Sequence, residues 1–327
     1  MVVLAALKQF GRRAIDDARL AAGVFFALML AGCAGLAPQT ATLRETFHTK
    51  GLPERVELTE VPFFPQTEYQ CGPAALATVL AAAGEKVTPE DLVSQVYLPE
   101  RKGSLQVEML AAARRHGIVS YQLAPRFEDL LREIAAGNPV VVLQNLGFKD
   151  GWHYAVAMGY DYDWGKLYLR SGEDKRSVMA FALHEFTWMR SGYWAMVALP
   201  PDRIPATAEE ERWLSAVAAL ERVDPSSART AYTTFLKRWP ENVNAAVGLA
   251  NTNHTLGDLK QAEAVLREAS SKHPESVIVL NNLAQTLSDQ GRDAEALPVI
   301  ERAVALGGPF SAAVEDTKRG IQKKLKR

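Results

Sequence analysis

The sequence predicts an α+β domain followed by an all-α repeat domain, and three observations carry that prediction. Between residues 56 and 200, helix-period segments come first and apolar runs of strand length come later, the order of an α+β arrangement. Beyond residue 208 only helical periodicity remains, with small and helix-breaking residues recurring at a step of 34 positions. Ahead of both, a basic flank and a short apolar run mark residues 1–33 as a targeting segment and not as fold.

In the targeting segment Lys8, Arg12 and Arg13 precede an apolar run from Leu20 to Ala31 that ends in Leu30-Ala31-Gly32-Cys33. The run is too short to favour a membrane-spanning helix. Asp16 and Asp17 are unusual in a basic flank, which leaves a start downstream of Met1 open. Leu-Ala-Gly-Cys resembles the bacterial lipobox. The resemblance implies that Cys33 is lipidated and becomes the new N-terminus; an uncleaved apolar anchor is the alternative. Ala34 stands where an aspartate would resemble an inner-membrane retention signal, which implies an outer-membrane anchor facing the periplasm. With Cys33 acylated, Cys71 has no thiol partner in an oxidising compartment, so it is read as reactive before it is read as structural. The formal net charge of −1 argues against nucleic acid as a partner.

Residues 34–55 show little periodicity and read as a tether. In the first domain, residues 56–200, a helix is expected from Gly72 to Ala83, with Pro73 in its first turn and Gly84 as its stop. Thr88-Pro89-Glu90-Asp91 caps a short helix. Ser104 to His116 is amphipathic and Gly117 ends it; Phe127 to Ala136 is a further helix, broken by Gly137-Asn138-Pro139. Ile118 to Leu123 alternates as a strand, and Val140 to Leu143 is the continuous apolar run of a strand covered on both faces. Tyr154–Tyr160, Lys166–Arg170 and Tyr193–Leu199 complete the strands, with Asp161 to Gly165 turning between the first two.

After a proline-rich linker, residues 201–208, the step of 34 is carried by Asp224 and Asp258, by Ala228, Ala262 and Ala296, and by Pro240 and Pro274. Gly257 with Gly291, Leu249 with Leu283, and Ala250 with Ala284 add to it. The pattern resembles the tetratricopeptide repeat, with copies at 243–276 and 277–309 and a degenerate one before them. A stack needs about three repeats to hide its apolar faces, so the weak copy and the helix after Phe310 are read as caps within residues 209–327. The resemblance implies a surface for a protein partner.

Cys71 lies in Pro65-Gln66-Thr67-Glu68-Tyr69-Gln70-Cys71-Gly72-Pro73-Ala74, where a polar extended segment runs into a helix. Unpaired N–H groups and the positive end of the helix dipole favour thiolate at such a position. His153, at the head of the apolar strand Gly151-Trp152-His153-Tyr154, is the first candidate base. His184, opening a short helix, is its rival; His48 is in the tether, His254 and His273 are in the repeats, and His116 closes a helix beside two arginines. Nucleophile, base and amide donor are the parts of a cysteine hydrolase. Trp152, Trp188 and Trp194 are read as core before cleft. No metal-ligand spacing, phosphate loop or dinucleotide fingerprint is found, so no cofactor is expected.

The combination over Val61–Leu199 resembles papain-like cysteine peptidases, and within them the bacteriocin-processing family that cuts leader peptides after double glycine. The resemblance implies a papain-like α+β fold, with Cys71 as nucleophile, His153 as general base and acid, and Gln66 as the oxyanion-hole side chain beside the Cys71 N–H. Two departures stand out. Four residues separate Gln66 from Cys71 where the family commonly has five; Gln70, next to the nucleophile, is the less suitable donor. The family's Asp or Asn that orients the imidazole falls on Ser171, which accepts an N–H but carries no charge; Asp174 is an alternative, and Asp161 and Asp163 read as turn residues. The double-glycine specificity does not transfer, because the exporter often fused to these peptidases is missing from this chain. The expected function is hydrolysis of a peptide or isopeptide bond on an envelope-anchored protein whose repeats recruit substrate or partner. A peptidase fold that only binds peptide, as an adaptor, is the rival expectation, and acyl transfer to an amine uses the same residues.

Overall fold

The computed structural model describes residues 37–47, 51–65, 70–147 and 151–326. Cys33, His48 and Gln66 lie outside the described residues. The first unit is built on a seven-stranded sheet of order β4-β9-β5-β6-β7-β8, with β1 pairing on β6. The strands are β1 (Arg55–Glu57), β4 (Val119–Gln122), β5 (Val140–Asn145), β6 (Trp152–Asp161), β7 (Lys166–Ser171), β8 (Asp174–Ala180) and β9 (Ala195–Leu199). Every pairing in it is antiparallel. A separate two-stranded ribbon joins β2 (Tyr97–Leu98) to β3 (Gly103–Ser104).

Alternation along the strands fixes which layer each residue meets. Val140, Val142, Ala155, Ala157, Leu167, Leu169, Ala195 and Val197 form one face. It is covered by α1 (Pro38–Thr46), α5 (Phe127–Ala135) and α6 (Phe181–Trp188). Val141, Leu143, Tyr154, Val156, Met196 and Ala198 form the other, covered by α2 (Cys71–Ala82), α3 (Pro89–Val96) and α4 (Gln106–Arg115). The continuous apolar run at 140–143 is therefore a central strand buried on both sides, as its pattern predicts. The α3 N-terminus carries the predicted cap: Thr88 and Asp91 form a reciprocal capping box. Strand β8, rich in exposed charge, is an edge strand whose burial pattern gives no alternation to read.

Residues 38–46, inside the segment expected to be a tether, form helix α1, a correction to that reading. Leu43 and Phe47 are buried in the sheet core, and Phe47 stacks on Tyr162 with ring centroids 3.5 Å apart. The buried Glu185 carboxylate accepts from the N–H groups of Gln39 (2.8 Å) and Thr40 (2.6 Å), satisfying two orphan donors of the first turn. The Gln39 side chain in turn accepts from Phe127 N (2.6 Å) and donates to Pro125 O (3.0 Å). Such a helix is held by partners distant in sequence, so its own nine residues carry little signal.

Three helix pairs follow: α7 (Glu210–Glu221) with α8 (Pro225–Arg238), α9 (Val243–Thr255) with α10 (Leu259–Lys272), and α11 (Val277–Asp289) with α12 (Asp293–Leu306). Helix α13 (Ser311–Leu325) closes the stack. The recurring residues have physical jobs. Ala228, Ala262 and Ala296 are fully buried where paired helices touch. Asp224 and Asp258 accept from Ser227 N and Gln261 N as helix N-caps. Gly257 and Gly291 adopt φ of +80° and +76°, the left-handed turn that a side chain resists.

The two units share one core. Trp213 is fully buried and meets Tyr121 of β4 edge to face, with centroids 5.7 Å apart. Leu214, Val217 and Leu220 extend the sheet core into the repeats. Glu133, also fully buried, accepts from Asn138 Nδ2 (2.7 Å), Thr207 N (2.7 Å) and Thr207 Oγ1 (2.6 Å), tying the linker to α5. A joint of this kind makes the units unfold together. In wild-type protein a single calorimetric transition is expected; Trp213→Ala, which empties the joint at a cost of about 3–5 kcal/mol, splits it into two.

Candidate active site

Helix α2 runs Cys-Gly-Pro-Ala-Ala-Leu-Ala-Thr-Val-Leu, and residues 72–80 are all buried. A helix apolar all round has to be sandwiched, and here it lies between the sheet and the α3–α4 layer. Its N-terminal end packs on β6, and Cys71 lies beside Tyr154, the residue after His153. The backbone N–H groups of Tyr154, Gly72 and Cys71 lie near enough to the thiol to favour its ionised form.

Burial nonetheless outweighs these donors and pushes the Cys71 thiol above its ordinary range. The thiolate expected from the helix terminus alone is thus not favoured, because the desolvation that accompanies the packing of α2 acts in the opposite sense. The Tyr154 phenol is raised as well, first by burial and then by the neighbouring Cys71.

His153 directs Nε2 to Ser171 Oγ at 2.8 Å. Ser171 ends β7, and the antiparallel register that pairs Val156 with Arg170 carries Ser171 alongside the head of β6. Ser171 is the residue at which the sequence predicts an orienting partner, and the 2.8 Å contact is what the structure adds. Asp174, on β8 opposite Ser171, is exposed; Asp161 accepts from Trp164 N (3.1 Å) within the turn, as a turn residue does.

His184, the rival base, lies in the other layer. It is fully buried against Phe127 and Trp188, and Gln144 Nε2 approaches its Nδ1 at 3.2 Å. Burial drops its pKa to about 3, so the ring is neutral throughout the working range. Trp188 and Trp194 belong to the core, whereas Trp152, next to the base, is 56% exposed. Gln70 occupies the N-cap of α2 with no side-chain capping bond. Among the described residues, no group of three His, Cys, Asp or Glu side chains gathers to hold a metal, and no helix is long and apolar enough to cross a membrane.

Two neighbours of the thiol escaped sequence reasoning. Gly72 is needed because a Cβ there would lie 2.5 Å from Ser104 Cβ, and closer still to its Oγ. Tyr154 donates its hydroxyl to Ser104 O at 3.2 Å. Neither contact has a signal in a single chain, since Ser104 lies 32 positions after Gly72 and 50 before Tyr154.

Residues 58–179 match the model described as the Peptidase_C39 like family, and residues 214–271 and 254–313 match two tetratricopeptide-repeat models. The chain carries a C39-like peptidase domain followed by tetratricopeptide repeats. Among solved structures it is similar to one described as a C39-like peptidase from Bacillus anthracis, at 18% identity and TM-score 0.39, over 45% of this chain and 98% of that one. It is also similar to the TPR2B domain of yeast Sti1 in complex with pHsp70 (18% identity, TM-score 0.34, 36% of this chain and 99% of that one). A third is the type III secretion translocator chaperone SycD of Yersinia enterocolitica (17% identity, TM-score 0.33, 36% and 86%). No curated protein matches the chain.

The buried imidazole makes an acid-stability prediction. Because the folded pKa of His184 lies below its usual value, its contribution is complete above about pH 6.5 and is lost as pH falls toward about 3. Unfolding free energies from urea titrations between pH 7 and pH 4 are expected to fall by up to about 1.4 kcal/mol per pH unit from this group, and His184→Gln removes that part of the slope.

Proposed function

We propose that this protein is a cysteine peptidase of the bacterial envelope that hydrolyses a peptide or isopeptide bond through a Cys71 thioacyl-enzyme. The observation that carries the reading is the meeting of the α2 N-terminus with the head of β6: the thiol lies beside the Tyr154 N–H, and the preceding His153 meets Ser171 at 2.8 Å. The lipidation of Cys33 and an outer-membrane location facing the periplasm rest on the targeting segment alone. The repeats supply a surface for substrate or partner protein, the general use of such stacks.

The chemistry follows from the two ring nitrogens. Ser171 engages Nε2, which assigns Nδ1 to the thiol. Sγ attacks the carbonyl carbon and its proton passes to Nδ1; the carbonyl oxygen becomes an oxyanion. The Cys71 N–H and the Gln66 amide are the donors proposed for it. Collapse breaks the C–N bond, and the imidazolium returns its proton to the departing amine. Water then attacks the thioester with His153 as base, freeing the acid and restoring the thiol.

Burial disfavours the thiolate at rest, and Ser171 orients the ring through an uncharged hydroxyl. His153 then acts as a general base during attack and not as half of a standing ion pair. Trp152, exposed beside it, is the side chain placed to contact substrate.

A second reading, a non-catalytic adaptor that binds peptide and works through its repeats, draws on the same two observations, the raised thiol and the uncharged orienter. Wild-type, Cys71→Ala and His153→Ala proteins incubated with envelope extract separate the two. New peptide termini mapped by mass spectrometry are expected with wild type and from neither variant; identical termini from all three leave the adaptor. Ser171→Asp supplies the missing charge. Its iodoacetamide alkylation at pH 7 is expected to run about tenfold faster than wild type, the equivalent of one pH unit in thiolate population.

A further inference from the structure

One residue outside the thiol and the imidazole touches both halves of the site. Ser104 ends β3, on the ribbon that stands apart from the main sheet. On one side its Cβ and Oγ fill the space that a side chain on Gly72 would need. On the other its carbonyl accepts the Tyr154 hydroxyl at 3.2 Å. Its own hydroxyl is buried and has no hydrogen-bond partner. Gly72 follows the nucleophile and Tyr154 follows the base, so the two backbone segments that must stay in register are both seated on one residue.

We propose that Ser104 is a positioning residue of the thiol site, a spacer that fixes the separation between the N-terminus of α2 and the head of β6. The proposal rests on the reading of Cys71 and His153 as the reacting pair. A spacer is needed because the thiol at the start of α2 stays beside the head of β6 only while these segments hold their distance. The distances set the tolerance. A Cβ 2.5 Å from Ser104 Cβ, where ordinary contact begins at 3.4 Å, displaces the helix terminus by about 1 Å. A misplacement of that size costs up to about 10²-fold in a reaction that depends on orientation. An unpartnered buried hydroxyl is unfavourable by itself, yet here it sits where bulk, not hydrogen bonding, sets the spacing.

The test reads Cys71 chemistry without turnover, in the full chain, so its failure is distinct from failure of the peptidase reading. The rate of iodoacetamide alkylation of Cys71 is followed from pH 6 to pH 10, with far-UV circular dichroism and thermal midpoint as folding controls. Gly72→Ala is expected to slow alkylation at pH 8 at least tenfold and to move the pH midpoint. Gly72→Ala combined with Ser104→Gly is expected to return the rate to within about twofold of wild type, because the steric block is gone. Combined with Ser104→Ala, which keeps the Cβ, it stays slow. Tyr154→Phe adds no volume and removes the bond to Ser104 O; it is expected to raise the midpoint by about half a unit and covers the case in which Gly72→Ala does not fold. If the Ser104→Gly pair restores thermal stability but not the alkylation profile, Ser104 is core filler and the proposal falls. It falls equally if Tyr154→Phe leaves the profile where wild type has it.

Discussion

The packing of α2 against the head of β6 is the constraint on which the rest depends. Residues 72–80 are buried without a break, so this helix has no solvent face and must lie between two layers. Once it does, the position of its first residue is decided, and with it the position of the thiol. The same burial that holds the helix strips water from Cys71 and raises its pKa. Placement and ionisation therefore pull in opposite directions, and the fold settles in favour of placement.

What remains is a site poised through geometry more than through charge. The thiol lies among backbone N–H groups, a serine meets the imidazole, and Ser104 spaces the two chain segments. Each of these is a neutral contact. A carboxylate in place of Ser171 would lean the pair toward thiolate and imidazolium; the hydroxyl keeps the ring oriented without doing so.

The repeats are not hung from the first unit by a loose linker. Trp213 against Tyr121, and Glu133 collecting the N–H and hydroxyl of Thr207, make the joint a continuation of the sheet core. A buried carboxylate at such a point needs every donor it has, since removing one leaves charge without compensation. The first helix pair accordingly departs from the repeat pattern: its residues answer to the sheet as well as to the next repeat, which is why that copy reads as degenerate.

The amino-acid sequence by itself determined what is local or periodic. The run at 140–143 gave a strand covered on both faces, Thr88 and Asp91 a cap, and the step of 34 three helix pairs, because alternation, capping and repetition are written in neighbouring residues. It also singled out Cys71, His153 and the Ser171 position. Only the tertiary structure decided the rest. Helix α1 exists because Glu185, some 145 positions away, satisfies its first turn. His184 is removed from the site because its helix packs on the opposite face of the sheet. The sign of the thiol's shift turned on how much water the packing of α2 expels, and the need for glycine at 72 on a serine that only the ribbon brings near. Solvation and steric fit belong to pairs of distant residues, and a single chain read in order does not show which pairs will meet.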